Sequence, residues 1–166
     1  METRMNLQYL VESATQLRQP AAASADEFES LRDGLAEELN RLMSARPDLE
    51  KLIGPGNLAM MQDNSRNFCR FMGSMFHAFE QEVLVQTVLW VFRAYRAHGF
   101  ATTYWPANID TFVELLRRRL SPAAFSDLYP FFRWLLVNIP VFVRISDEQT
   151  LERDAPTPSH GAGREP

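Results

Sequence analysis

Only three histidines stand in the 166-residue chain, and His77 is the one with charged company. Arg70 lies seven residues before it and Arg66 eleven, so all three project from one side of a helix. Gly73 and Ser74 leave that side small. An imidazole beside two guanidiniums can hold an anion or a cofactor. A solvated helix face explains the same pattern with less. No partner residue at metal-ligand spacing accompanies His77, so zinc is not expected there.

Asn64 and Asn67 pose a sharper question. Asn64 falls on the side of its helix that carries Met61, Phe68 and Phe71, where an apolar residue belongs. A buried amide without partners costs about 1–3 kcal/mol, so Asn64 either bonds a neighbouring helix or loop, or contacts a ligand. Asn138 repeats the problem two residues before Pro140, where it can serve backbone groups that a kink exposes.

Trp90, Tyr95, Tyr104, Trp105 and Trp134 gather large rings near the ends of three helices. Such rings suit a planar ligand or a partner helix, and they suit an ordinary core equally well. The run Arg117 to Arg119 is spread around its helix, with Glu114 placed to pair with Arg118, and reads as a solvated face. Cys69, flanked by Phe68 and Phe71, reads as a small core residue. Its nearest candidate base, His77, is two turns away on a different face. No acid–base pair emerges, and no catalytic residue is assigned.

The elements that position these side chains are helices. Leu7, Leu10, Val11, Ala14 and Leu17 predict a helix over 5–18, and Phe28, Leu31, Leu35, Leu39 and Leu42 a second over 25–45, capped by Ser24 or Asp26. Pro47 ends it, 48–53 makes one further turn, and Gly54-Pro55-Gly56 reverses the chain. Asn57 caps a third helix to Phe79. The fourth, over 81–98, is apolar nearly all round and should be the central, most buried one, with Gly99 as its stop. Tyr104-Trp105-Pro106 opens the fifth, and Ser121-Pro122 the sixth, which should kink or break at Pro130 or Pro140. Beyond Ser146 the composition turns polar and predicts disorder over 146–166, leaving a single helical domain over 1–145.

Composition bounds the function. Forty-six percent of the residues are hydrophobic, twelve of them Phe, which supplies a core. A net charge of -4 gives no general attraction to nucleic acid or anionic lipid, so neither is an expected partner. One cysteine allows neither an intramolecular disulfide nor a CxxC site. The first twenty residues lack a signal-peptide apolar core. The stretch Phe131–Val143, interrupted by Arg133 and Asn138, is shorter than the ~20 residues of a membrane span. A cytoplasmic location is the expectation.

The order of helices resembles the globin-like superfamily over residues 25–145. Tyr104-Trp105-Pro106 through Val143 is similar to the last two long globin helices: a proline-led helix, the short Ser121-Pro122 connection, then a longer aromatic-rich helix. The two helices before them would then flank a haem. In haem-binding members a histidine on the preceding helix ligates iron; here that region offers His98, at the helix terminus beside Gly99, and no histidine stands mid-way along the third helix. The resemblance therefore implies the haem-less sensory or phycobiliprotein-like branch. It also implies Cys69 as the one thiol a linked bilin could use. The expectation is an all-α, six-helix orthogonal bundle acting as a non-enzymatic sensory or interaction module. It pairs as a homodimer through its first two helices, or binds another protein. The alternative is haem or another planar cofactor. Candidate binding residues are Asn64, Arg70, His77, Trp90, His98 and Trp105; the cofactor itself stays unknown.

Overall fold

Apolar residues recurring every three or four positions make every regular element a helix, and no strand occurs among the described residues. A computed structural model describes residues 1–154, without the side chains of Glu152 and Asp154. In chain order the helices are α1 (Glu2–Ala14), α2 (Ala22–Ser44), α3 (Leu49–Ile53), α4 (Leu58–His77), α5 (Gln81–Ala97), α6 (Tyr104–Arg119) and α7 (Pro122–Asp154). Seven helices stand where six were expected. The seventh is α3: the single turn after Pro47 closes into a short helix because Leu52 and Ile53 are buried in the core.

The centre of the molecule is α2 and α7, not α5. Helix α2 runs along α4 and also meets α6 and α7, while α7 meets α1, α2, α5 and α6. Helix α5 packs closely on α1 and α7, and its Trp90 is 62% exposed. Its all-round apolar character has another cause, described below. The rings of Phe28, Phe76, Phe112, Phe131 and Phe132 lock α2, α4, α6 and α7 together through edge-to-face contacts at 5.0–6.5 Å.

The first two helices do not stand free. Leu10 and Ala14 of α1 are fully buried, Ser13 Oγ accepts a hydrogen bond from Trp134 Nε1 (3.0 Å), and the apolar stripe of α2 lies inside the core. The stripes expected to mediate pairing are used within the fold. Helix α2 also starts earlier than expected, at Ala22. Ser24 is buried in its first turn, and the N–H of Ala21 bonds Asp127 Oδ2 (2.8 Å).

Ser121 caps α7 as expected, its Oγ accepting from the Ala124 N–H (3.2 Å) with Pro122 in the first turn. The Glu27 carboxylate accepts from both the N–H and the hydroxyl of Ser121, each at 2.7 Å. From there α7 continues through Pro130 and Pro140 without a break. Asn138 does serve the backbone near Pro140, but it bonds the Trp134 carbonyl (2.8 Å) and not the Leu136 carbonyl that the proline deprives of its donor. The helix passes the expected boundary at Ser146 and reaches Asp154. Ser146 is buried and bonded by Arg96, which also pairs with Asp147 (2.6 Å), while Thr3 bonds Glu148. Residues 155–166, the remainder of the expected disordered tail, lie outside the described residues. By length and mean hydropathy (1.3) the segment Pro122–Leu151 matches a membrane span, which the shorter stretch read from sequence did not. Leu128, Phe131, Phe132, Leu135 and Phe142 from it are buried in the helical core.

One clasp fixes the geometry at the end of α5. Gly99, at φ +100°, lets the Phe100 N–H reach the Tyr95 carbonyl (3.1 Å) while its own N–H bonds that of Arg96 (3.0 Å). Asn57 Nδ2 then donates to the carbonyls of Ile53 (2.6 Å) and His98 (2.7 Å), and the Ala101 N–H to that of Leu52 (2.8 Å). Asn57 thus ties α3 to the end of α5, and its side chain does not cap α4. Gly54 sits in this clasp at φ +77°, where an added Cβ would lie 3.0 Å from the Gly99 carbonyl oxygen. Gly54→Ala should therefore cost roughly 1–3 kcal/mol, from left-handed strain and the clash together. Urea titration of the variant against the parent chain measures it; equal midpoints would contradict the clasp.

Candidate functional site

Four helical stripes face one shared space. On α4, Asn64, Asn67, Phe68 and Phe71 follow the i, i+3, i+4, i+7 spacing of a single face. On α5 the face is Thr87, Val88, Val91 and Tyr95, with Trp90 and Phe92 beside it. Trp105, Asn108 and Ile109 come from α6, and Leu135, Ile139 and Phe142 from α7. Helices α4 and α5 follow each other in the chain yet are not among the closely packed pairs. Between them is a crevice of about 260 Å³. This is why α5 is apolar all round: one side packs on α1 and α7, and another lines the crevice.

The walls are set by ring contacts. Phe92 stacks on Trp105 at 4.5 Å and on Phe142 at 5.4 Å, and Tyr95 meets Trp105 edge-on at 5.8 Å. The Tyr95 ring in turn abuts Phe100, so the clasp at Gly99 reaches the crevice wall. Trp90 stands mostly exposed beside this wall.

Polar groups in the walls divide into satisfied and unsatisfied. Asn64 Nδ2 donates to the Tyr104 hydroxyl (3.1 Å), and both residues are buried. Burial raises the Tyr104 phenol well above the usual tyrosine value, so it remains a neutral hydroxyl. In contrast, Trp105 Nε1 and Asn108 Nδ2 have no hydrogen-bond partner, although the two residues are only 5% and 2% exposed. No Asp, Glu, Lys, Arg or His lines the crevice.

Of the six candidate residues, the fold brings Asn64, Trp90 and Trp105 to this one site. Arg70 and His77 are exposed on α4 away from it, and Arg66 is engaged by Glu37 (3.0 Å) and Asp63 (3.1 Å). That face holds surface ion pairs where a pocket would be needed for chemistry. His98 lies at the end of α5 with its side chain exposed, and it contributes its carbonyl to the Asn57 clasp. Among the described residues no group of three His, Cys, Asp or Glu could hold a metal ion. Asn108 is the residue that sequence reasoning passed over. Its signal was the one that singled out Asn64: an amide on an apolar helical stripe, here with Trp105, Ile109 and Phe112.

Comparison with protein-family models, with curated proteins and with solved structures yields no match to this chain.

Cys69 is fully buried and does not line the crevice. Desolvation pushes its thiol up from 9.0 to about 12, which suppresses the thiolate needed for nucleophilic or thioether chemistry. Native protein should resist thiol-modifying reagents at mildly alkaline pH and react fully once unfolded. The raised value also fixes a sign. The stability linked to this thiol is intact below pH 9 and is lost as pH rises through about 12. Thermal midpoints should fall over that window, and less steeply in Cys69→Ala. Rapid labelling of the folded chain would contradict the buried assignment.

Proposed function

We propose that the chain is a non-enzymatic sensory or regulatory module that binds an apolar small molecule between α4 and α5. The observation carrying this reading is the crevice itself. Its walls are mostly aromatic and aliphatic, with Asn64, Asn67, Thr87 and Asn108 among them, and it contains no charged side chain. Ligand sites have this composition: mostly apolar walls with a few placed polar groups. The same features argue for binding without turnover, because no carboxylate, imidazole, ammonium or thiol lines the space.

The globin-like resemblance, in its haem-less form, is part of this proposal. What supports it is the order of elements, with Pro106 in the first turn of α6 and a long aromatic α7 after a Ser121-Pro122 connection. A planar cofactor is the second reading, favoured by the stacked Phe92–Trp105 pair in the wall. Haem would need an axial ligand, and His77 and His98 both stand outside the crevice. Visible absorbance of haem in the purified protein, or uptake on titration, would favour the second reading.

The neutral fluorophore N-phenyl-1-naphthylamine should bind saturably at one site per chain. Ile139→Trp, which fills the crevice from α7, should weaken that binding by at least about tenfold with an unchanged circular dichroism spectrum. No saturable binding, or equal binding by the variant, would overturn the proposal.

Homodimer formation belongs to the same reading. With the stripes of α1 and α2 occupied, the apolar surface supporting it is Met5 and Tyr9 on α1 and Val83 and Trp90 on α5, all exposed. Light scattering at micromolar concentration should give twice the 19.1 kDa chain mass; a clean monomer would remove the dimer from the reading.

A further inference from the structure

We infer that the crevice takes a single-chain amphiphile tail first, with the hydrocarbon on its floor and the polar head left in water beside Asn67 and Thr87. This rests on the reading of the crevice as a ligand site and names the class of its ligand.

The lining sorts by depth. Phe92, Trp105, Leu135 and Phe142 are buried and form the floor, supplied by α5, α6 and α7. Phe68, Phe71, Val88, Val91 and Ile139 are half-buried on the way out. Asn67 of α4 and Trp90 of α5 are exposed, so the crevice opens between the lips of these two helices.

Polarity follows the same gradient. The floor offers a ligand almost nothing but carbon. Trp105 Nε1 and Asn108 Nδ2 are covered by surrounding atoms, and Asn64 Nδ2 is spent on the Tyr104 hydroxyl. Asn67 is exposed and Thr87 half-buried, and neither side chain has a hydrogen-bond partner within the chain. For Thr87 the missing partner is informative. Ser65, Ser74 and Thr111 each donate to the carbonyl four residues earlier, a bond open to any hydroxyl inside a helix. Thr87 makes no such bond, so its hydroxyl stays open.

That distribution defines the ligand. A molecule charged at both ends must bury one charge on a floor with no ion and no open donor to replace its water. A molecule with one apolar end and one polar end avoids that cost. Its tail gains from burial, and its head keeps its hydration at the lips. No charged side chain lines the crevice, so the sign of the head charge is not selected.

Octanoate, octylammonium and octanedioate, titrated against N-phenyl-1-naphthylamine bound to the full chain at neutral pH, test the class. The first two should each displace it, within about threefold of one another, and octanedioate at least about tenfold more weakly. Direction is read from two tryptophans, Trp90 at the lip and Trp105 on the floor, because bromine quenches an indole on contact. Octanoate brominated at its terminal carbon should quench Trp105, and octanoate brominated beside the carboxylate should quench Trp90. Trp90 is exposed, so Trp90→Phe leaves the core intact. In that variant quenching by the second acid should vanish and quenching by the first persist.

Equal displacement by octanedioate, displacement by only one of the singly charged probes, or the reverse quenching pattern would overturn the inference and leave the binding crevice standing. Bound naphthylamine that none of the three displaces would do the same. Failure of the naphthylamine itself to bind would overturn both.

Discussion

The edge-to-face packing of Phe76 against Phe28, Phe131 and Phe132 is the contact on which the remainder of the architecture depends. It anchors the C-terminal half of α4 to α2 and α7. A helix anchored in that way has no need of its sequence neighbour, and α4 accordingly leaves α5 to pack elsewhere. The crevice follows from this division of partners. Each helix is supported from behind, by α2 for α4 and by α1 and α7 for α5, so the space between them does not collapse under the hydrophobic effect alone.

Buried polar groups follow the same logic of local completion. Serine hydroxyls, the Tyr104 phenol and main-chain carbonyls take up most of the buried amide and indole donors. Other unpartnered atoms, such as Asn40 Oδ1 and Asn138 Oδ1, belong to side chains whose amide nitrogen is bonded. Trp105 is different because the indole has a single polar group and that group is the open one. Its position is set by rings on either side, so the direction of the N–H is fixed by packing.

Much of this was legible in the residues. The three-and-four spacing marked every long helix, and the glycine after α5 and the Ser121-Pro122 pair marked their ends. Asn64 announced itself as a buried amide. What escaped depended on partners distant in sequence. Helix α7 outlasts its apolar pattern because Arg96, fifty residues away, holds Ser146, and it also pairs with Asp147. Prolines 130 and 140 sit within a helix that tertiary packing keeps continuous. The apolar girth of α5 looked like centrality, since periodicity cannot tell a residue packed on protein from one lining a hollow. Arg70 and His77 shared a face with Arg66, but nothing in their spacing revealed that this face would look outward.

The continuity of α7 gives the molecule a lever. Leu135, Ile139 and Phe142 touch the crevice near its middle, and the same unbroken helix extends to Asp154. At 1.5 Å per residue the arm beyond Ile139 is about 22 Å long, so each degree of tilt at the crevice displaces its tip by about 0.4 Å. A helix broken at Pro140 would have dissipated such a rotation at the joint. Here a tilt of α7 at the crevice would be carried along the helix to its contacts with Arg96 and Thr3.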